Sequence, residues 1–153
     1  MEPFASAQQR EVRRLTSMNK SYQLTNIIYE FTLEFCRRYT NGSALTRKMG
    51  KEARLVKENL SPASLARLLE SYKEFILAND IEVWPAYSLR LRKVKGIAFR
   101  PYKSYEMYEP FLSSVERAAN AAVCLIIQTS RLVEESSKST LDPQGALYLG
   151  SIK

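Results

Sequence analysis

The sequence predicts an all-α protein: an up-and-down four-helix bundle with a basic, extended arm inserted between the third and fourth helices. Two observations predict the bundle. Four segments place apolar residues at alternating spacings of three and four, and Gly or Pro stands at junctions between them. A third observation predicts the arm, because one acid-free stretch around Arg90 alternates leucine with arginine instead. With 153 residues, 45% of them hydrophobic, the chain suffices for one domain, 1–153, whose core needs neither disulfide nor metal.

The first helix is read from "YQLTNIIYEFTLEFCRRY", Tyr22 to Tyr39, where Leu24, Ile28, Phe31 and Phe35 share one stripe with Ile27 beside them. Residues before Met18 are read as a short helix of their own. "TNGS", Thr40 to Ser43, ends the first helix, with Gly42 as terminator. The second helix is placed from Ala44 to Asn59, with Leu45, Met49, Ala53, Val56 and Leu60 on one side and Arg47, Lys51 and Arg54 on another. Ser61 as N-cap and Pro62 at the first helical position open the third, whose broad apolar face includes Leu65, Leu68, Tyr72, Phe75 and Ile76. The last long helix is expected to begin near Ser104 or after Pro110 and to run to about Ser137. Val115, Ala118, Ala122, Leu125, Thr129 and Leu132 form its packing stripe, and its alanine-rich first half lets a neighbouring helix approach closely. From about residue 138 to 153, Pro143, Gly145 and Gly150 break any periodicity, and the segment reads as a flexible tail.

The formal net charge is +7, from 23 Lys+Arg against 16 Asp+Glu, and its location is more informative than its size. Between Val83 and Tyr105 there is no acidic residue, while Arg90, Arg92, Lys93, Lys95, Arg100 and Lys103 supply six cations. Subtracting those six from 23 leaves 17 basic against 16 acidic residues elsewhere. A local excess of this kind favours a polyanionic partner: nucleic acid, an anionic membrane or an acidic protein. In "LRLRKVK" an extended backbone would put Leu89 and Leu91 on one side and Arg90 and Arg92 on the other, giving an arm over about 83–103 with Gly96 at a turn. Trp84, Tyr87, Phe99, Tyr102 and Tyr105 are interleaved with the cations, as rings that either stack on bases or anchor the arm to the core. Trp84 and Tyr87 are read as packing over the end of the bundle. The six arm cations are read as contacts to a phosphate backbone, with Arg47, Lys51 and Arg54 extending the surface; the competing reading is a solvated connector and a solvated helix face.

The chain contains no histidine, and so lacks the usual general base and the commonest metal ligand. Its only aspartates are Asp80, at an expected helix end, and Asp142, in the tail. No glycine fingerprint, phosphate-binding loop or cysteine pair of metal spacing occurs. Glu30 with Glu34, Glu70 with Glu74, and Glu134 with Glu135 could be paired on paper. A di-metal bundle also uses a Glu-x-x-His spacing, so these are read as solvated faces. No catalytic residue, cofactor or metal is expected. Cys36 and Cys124 lie inside apolar helical patterns and read as free core thiols in a reducing compartment. "MEPFASAQQREVRR" has no continuous apolar region, and the nearly apolar run from Ala118 to Ile127 is about half of what a bilayer crossing requires. The expectation is a soluble, cytoplasmic protein that does not engage membranes.

Three segments carry a resemblance: Tyr22 to Tyr39, quoted above; "ASLARLLESYKEFI", Ala63 to Ile76, leading to Trp84; and "SYEMYEPFLSSVERAANAAVCLIIQTSRLVEE", Ser104 to Glu135. Together they resemble the bacterial four-helix-bundle family typified by the protein encoded in intervening sequences of large-subunit ribosomal RNA genes, in its branch with an added segment before the last helix. The third segment is the most specific, through Ser104-Tyr105-Glu106, Tyr108, Ala119-Asn120 and Cys124-Leu125-Ile126. The related Avd, the accessory protein of diversity-generating retroelements, extends what the resemblance implies: a basic, ring-forming homo-oligomer that binds a reverse transcriptase and its RNA template. The chain departs from the family after Gly50. Members have a longer second helix and following turn, where this chain has only "GKEARLVKENL", so no role of that region is carried over.

These readings converge on a non-enzymatic, oligomeric accessory protein that binds structured RNA in support of a reverse transcriptase. The alternative is a scaffolding bundle that docks an acidic protein partner without direct RNA binding.

Overall fold

The first helix starts earlier than its apolar stripe. Ser6 Oγ accepts the Gln9 amide at 3.1 Å while Gln9 Oε1 accepts the Ser6 amide at 2.8 Å, a reciprocal cap that satisfies two donors left over at a helix start. The computed structural model describes residues 6–141 and contains, in order, α1 (Ala7–Tyr39), α2 (Ala44–Glu58), α3 (Pro62–Ala78), α4 (Leu89–Ala98) and α5 (Val115–Leu141). Two 3-10 turns, Tyr105–Met107 and Glu109–Ser113, precede α5. The described residues contain no strand, and the protein is all-α, with a bundle-like character.

The short helix expected before Met18 is the opening of a continuous α1. Its packing face there is polar. Ser17 and Ser21 are buried, and Ser17 Oγ donates to Glu135 on α5 at 2.8 Å. Gly42, at φ +86°, takes the left-handed conformation that turns the chain from α1 into α2. Ser61 is the N-cap and Pro62 the first residue of α3, as the sequence predicts, and Ser64 completes a reciprocal cap beyond that expectation. At the other end of α3, Asp80 has φ +53°, the Asp80 amide donates to Leu77 O and the Ile81 amide to Ile76 O. That pair of bonds closes the helix as a glycine would, in a conformation aspartate tolerates.

The most extensive helix contact is α1 against α5; α1 also packs on α2, α2 on α3 and α3 on α5, while α4 lies against α5. Ala118, Ala119, Ala121 and Ala122 are buried on α5 as Leu24, Ile28 and Phe31 are on α1, and short side chains on α5 suit the close approach of neighbouring helices. Phe35 occupies the middle of the core, with ring centroids 5.0 Å from Tyr72 and 5.1 Å from Phe75. Tyr72, fully buried, shares a 2.8 Å hydrogen bond with Thr32, so its hydroxyl enters the core without an unpaired polar atom. Cys36 and Cys124 are free and buried, and burial pushes both thiols up.

Of the two starts expected for α5 the structure takes the later one: the 3-10 turns Tyr105–Met107 and Glu109–Ser113 come first, Pro110 lies in the second of them, and the α-helix starts at Val115. It continues through Leu141, past the expected end near Ser137, and the rest of the tail, 142–153, lies outside the described residues. No helix among the described residues is long and apolar enough to cross a membrane.

Candidate nucleic-acid interface

The basic stretch is a helix, which corrects the extended arm expected from its alternation. Leucine, arginine and lysine are all good helix formers, and Ser88 Oγ caps the start by accepting the Arg90 amide at 3.1 Å. Leu91, Val94, Ile97 and Ala98 are the buried residues, a three- and four-residue repeat facing α5. Leu89, the residue that created the apparent alternation, is 70% exposed. Gly96 lies within the helix and makes no turn.

The connector into α4 is pinned to α5 by Asn120. Its Oδ1 accepts the Trp84 amide at 2.8 Å, and its Nδ2 donates to Glu82 O and Glu116 O, each at 2.9 Å. Trp84 is thereby buried, and its Nε1 donates to Glu116 Oε2 at 2.6 Å. Tyr87 departs from the cover role expected of both aromatics: it is 85% exposed.

At about 3.6 residues per turn, the helix distributes cations that an extended arm would have aligned. Arg90 and Lys93 fall on the flank toward Trp84, Lys95 on the opposite flank, and Arg92 points away from α5. The Arg90 guanidinium lies 5.0 Å from the centre of the Trp84 ring, and its Nη1 is 3.5 Å from Glu116 Oε2. Lys95 is half-buried and donates from Nζ to Ala86 O at 2.6 Å. Arg92, Lys93 and Arg100 are exposed.

Lys103 does not join this surface. It is 7% exposed, donates from Nζ to Gln23 Oε1 at 2.8 Å, and is held below the usual lysine range by desolvation and by the nearby Lys20 charge. Its role is to anchor the segment after α4 onto α1. Arg47, Lys51 and Arg54 are exposed on α2, which packs on α1 and α3 whereas α4 packs on α5. Those three cations therefore occupy a different flank and do not extend the α4 surface.

Two grooves border α4. One, of about 380 Å³, is lined by Trp84, Leu89, Arg90, Lys93, Phe111 and Arg117. The other, of about 540 Å³, lies among α1, α4 and α5, with Lys20, Lys95 and Arg131 at its edge beside Glu134 and Glu135. In the second, Gln128 Nε2 donates to Lys95 O at 3.3 Å while its Oε1 is buried without a partner. Arg117, Lys20 and Arg131 are the groove cations the sequence did not single out. No local signal could have found them, because each groove is assembled from segments far apart in the chain.

The carboxylates that could be paired on paper are engaged separately. Glu34 bonds Arg37 and Arg38, which hold its carboxyl far down, at about 2; Glu74 pairs with Lys48 at 3.3 Å; Glu135 accepts from Ser17. Among the described residues no three His, Cys, Asp or Glu side chains are grouped as a metal site. Comparison with family models, with curated proteins and with solved structures finds no match to the chain.

Proposed function

We propose that this is a non-enzymatic, cytoplasmic accessory protein that binds structured RNA as a homo-oligomer. In this reading α1, α2, α3 and α5 form an up-and-down four-helix bundle related to the intervening-sequence family and to Avd, and the RNA-bound protein supports a reverse transcriptase. One observation carries the proposal: the acid-free segment folds into a helix and following loop that hold Arg90, Arg92, Lys93 and Arg100 exposed. Clustered cations of this kind gain affinity for phosphate backbones by releasing condensed counterions, with no need for base contacts. Oligomerisation is supported by the exposed Tyr87, Leu89, Phe99 and Tyr102 beside those cations.

The same aromatic residues favour one alternative, docking of an acidic protein. Affinity purification with and without nuclease, followed by light scattering, separates the two. The RNA reading predicts co-purifying RNA whose associated proteins are released by nuclease, and, after nuclease, a particle mass of at least twice 17.6 kDa. A protein partner that survives nuclease, with no RNA recovered, would replace it.

A further inference from the structure

The groove between the start of α4 and the start of α5 is built differently from the rest of the basic surface. Three cations from two elements converge on it, Arg90 and Lys93 from α4 and Arg117 from α5. Two of them lie over aromatic rings: Arg90 is 5.0 Å from the centre of Trp84 and Arg117 is 5.8 Å from the centre of Phe111. Each is also held at its edge, Arg90 by Glu116 at 3.5 Å and Arg117 by donating to Ser113 Oγ at 3.2 Å. Glu116, which also accepts from the neutral Trp84 indole, is one carboxylate against these three cations, so the groove retains an excess of positive charge.

A guanidinium fixed over a ring on one face can stack a second flat group on the other, while its N–H edge remains able to bind phosphate. The volume, about 380 Å³, is that of a small-ligand site. A duplex displays its phosphates on a convex surface and keeps its bases stacked inside, so it would lie across this concavity without filling it. A nucleotide turned out of a loop or bulge offers both a flat base and a phosphate to the groove.

Building on the RNA-binding reading above, we infer that this groove is the seat of an unpaired nucleotide, with its base against the Arg90 and Arg117 planes and its phosphate on Lys93. The surface cations of α4 hold the surrounding backbone. The protein consequently distinguishes RNA with unpaired nucleotides from continuous duplex.

Trp84 is the chain's one tryptophan and lines the groove, so its fluorescence reports occupancy directly. The test titrates the full-length protein with a single-stranded RNA oligonucleotide, a duplex of the same length and a nucleoside monophosphate, reading Trp84 emission and, separately, anisotropy of labelled RNA. Saturable quenching by the single strand without quenching by the duplex is expected. Arg117→Glu should weaken single-strand binding at least about fivefold and weaken duplex binding by a smaller factor, since a duplex lying across the groove feels only the changed charge. Arg117 is exposed and Glu suits the first turn of a helix, so this variant keeps its fold; Lys93→Glu gives an independent check. Quenching by the monophosphate alone, equal to that by the oligonucleotide, would make the site one for free nucleotides and overturn the RNA assignment of the groove. RNA binding with Trp84 unresponsive, or with Arg117→Glu neutral, would overturn the inference and leave the proposed function standing. No RNA binding in any form would overturn both.

Discussion

The helical state of the basic segment makes opposite demands on two leucines that stand two positions apart. Leu91 is 6% exposed and faces α5, whereas Leu89 is 70% exposed. Leu91→Ala removes buried carbons at the edge of the core and should cost about 2–3 kcal/mol, the lower part of the range for buried leucines, because the neighbouring surface can relax into the gap. Leu89→Ala should stay within about 0.5 kcal/mol. For a domain of this size the urea dependence is about 1–3 kcal/mol per molar, so the first variant should lower the midpoint by roughly 0.7–3 M and the second by less than about 0.5 M, a ratio of at least about four at any one slope. Urea unfolding followed by both circular dichroism and Trp84 fluorescence gives the comparison within one experiment. An extended arm would place both leucines on the same face. Equal midpoint shifts for the two variants, or a larger one for Leu89→Ala, would therefore refute the helix and the cation arrangement that depends on it.

Lys103→Ala should lower stability by about 1–2 kcal/mol through loss of its packing and its bond to Gln23, yet leave the salt dependence of RNA binding unchanged; a reduced salt slope would return Lys103 to the binding surface. Glu34, held at about 2 by Arg37 and Arg38 against an ordinary value of 4.5, stabilises the fold fully above pH 4.5 and loses that contribution as the pH falls toward 2. Its exposed arginine partners limit the effect to about 1 kcal/mol, and Glu34→Gln should flatten this part of a stability-versus-pH profile; an unchanged acid limb would contradict the pairing. Cys36 and Cys124 should react with a thiol reagent only as the protein unfolds, so labelling in a urea series should follow the unfolded fraction, and rapid labelling of the native protein would contradict their burial.

The helices with strong local signals were legible from the sequence. Ser61 and Pro62 mark the start of α3, and Leu24, Phe31 and Phe35 mark the core side of α1, because capping and helical periodicity act within a few residues. The start of α1 was less visible. "SAQQ" is the cap, but the following turns bury Ser17 and Ser21 and so present no apolar stripe. In α4 two periods compete over a few residues: Leu89 and Leu91 suggest two, while Leu91, Val94 and Ala98 suggest three and four, and contact with α5 favours the second. The candidate surface was legible as charge and illegible as geometry. Arg92, Lys93 and Arg100 are exposed, but Lys103 is buried with a partner 80 positions away, and Arg117 and Arg90 line one groove because Trp84 and Asn120 hold the connector on α5.

RNA binding by the exposed cations of α4 and the loop after it, as proposed, can be measured as affinity for a structured RNA across a salt series, comparing the wild-type protein with a variant carrying Arg90→Gln, Arg92→Gln, Lys93→Gln and Arg100→Gln. Each phosphate contact contributes about 0.7–0.9 to the slope of log affinity against log salt, so four lost contacts should reduce its magnitude by about 3. A variant that folds like the wild type and keeps its affinity and slope would show that RNA, if bound at all, is bound elsewhere.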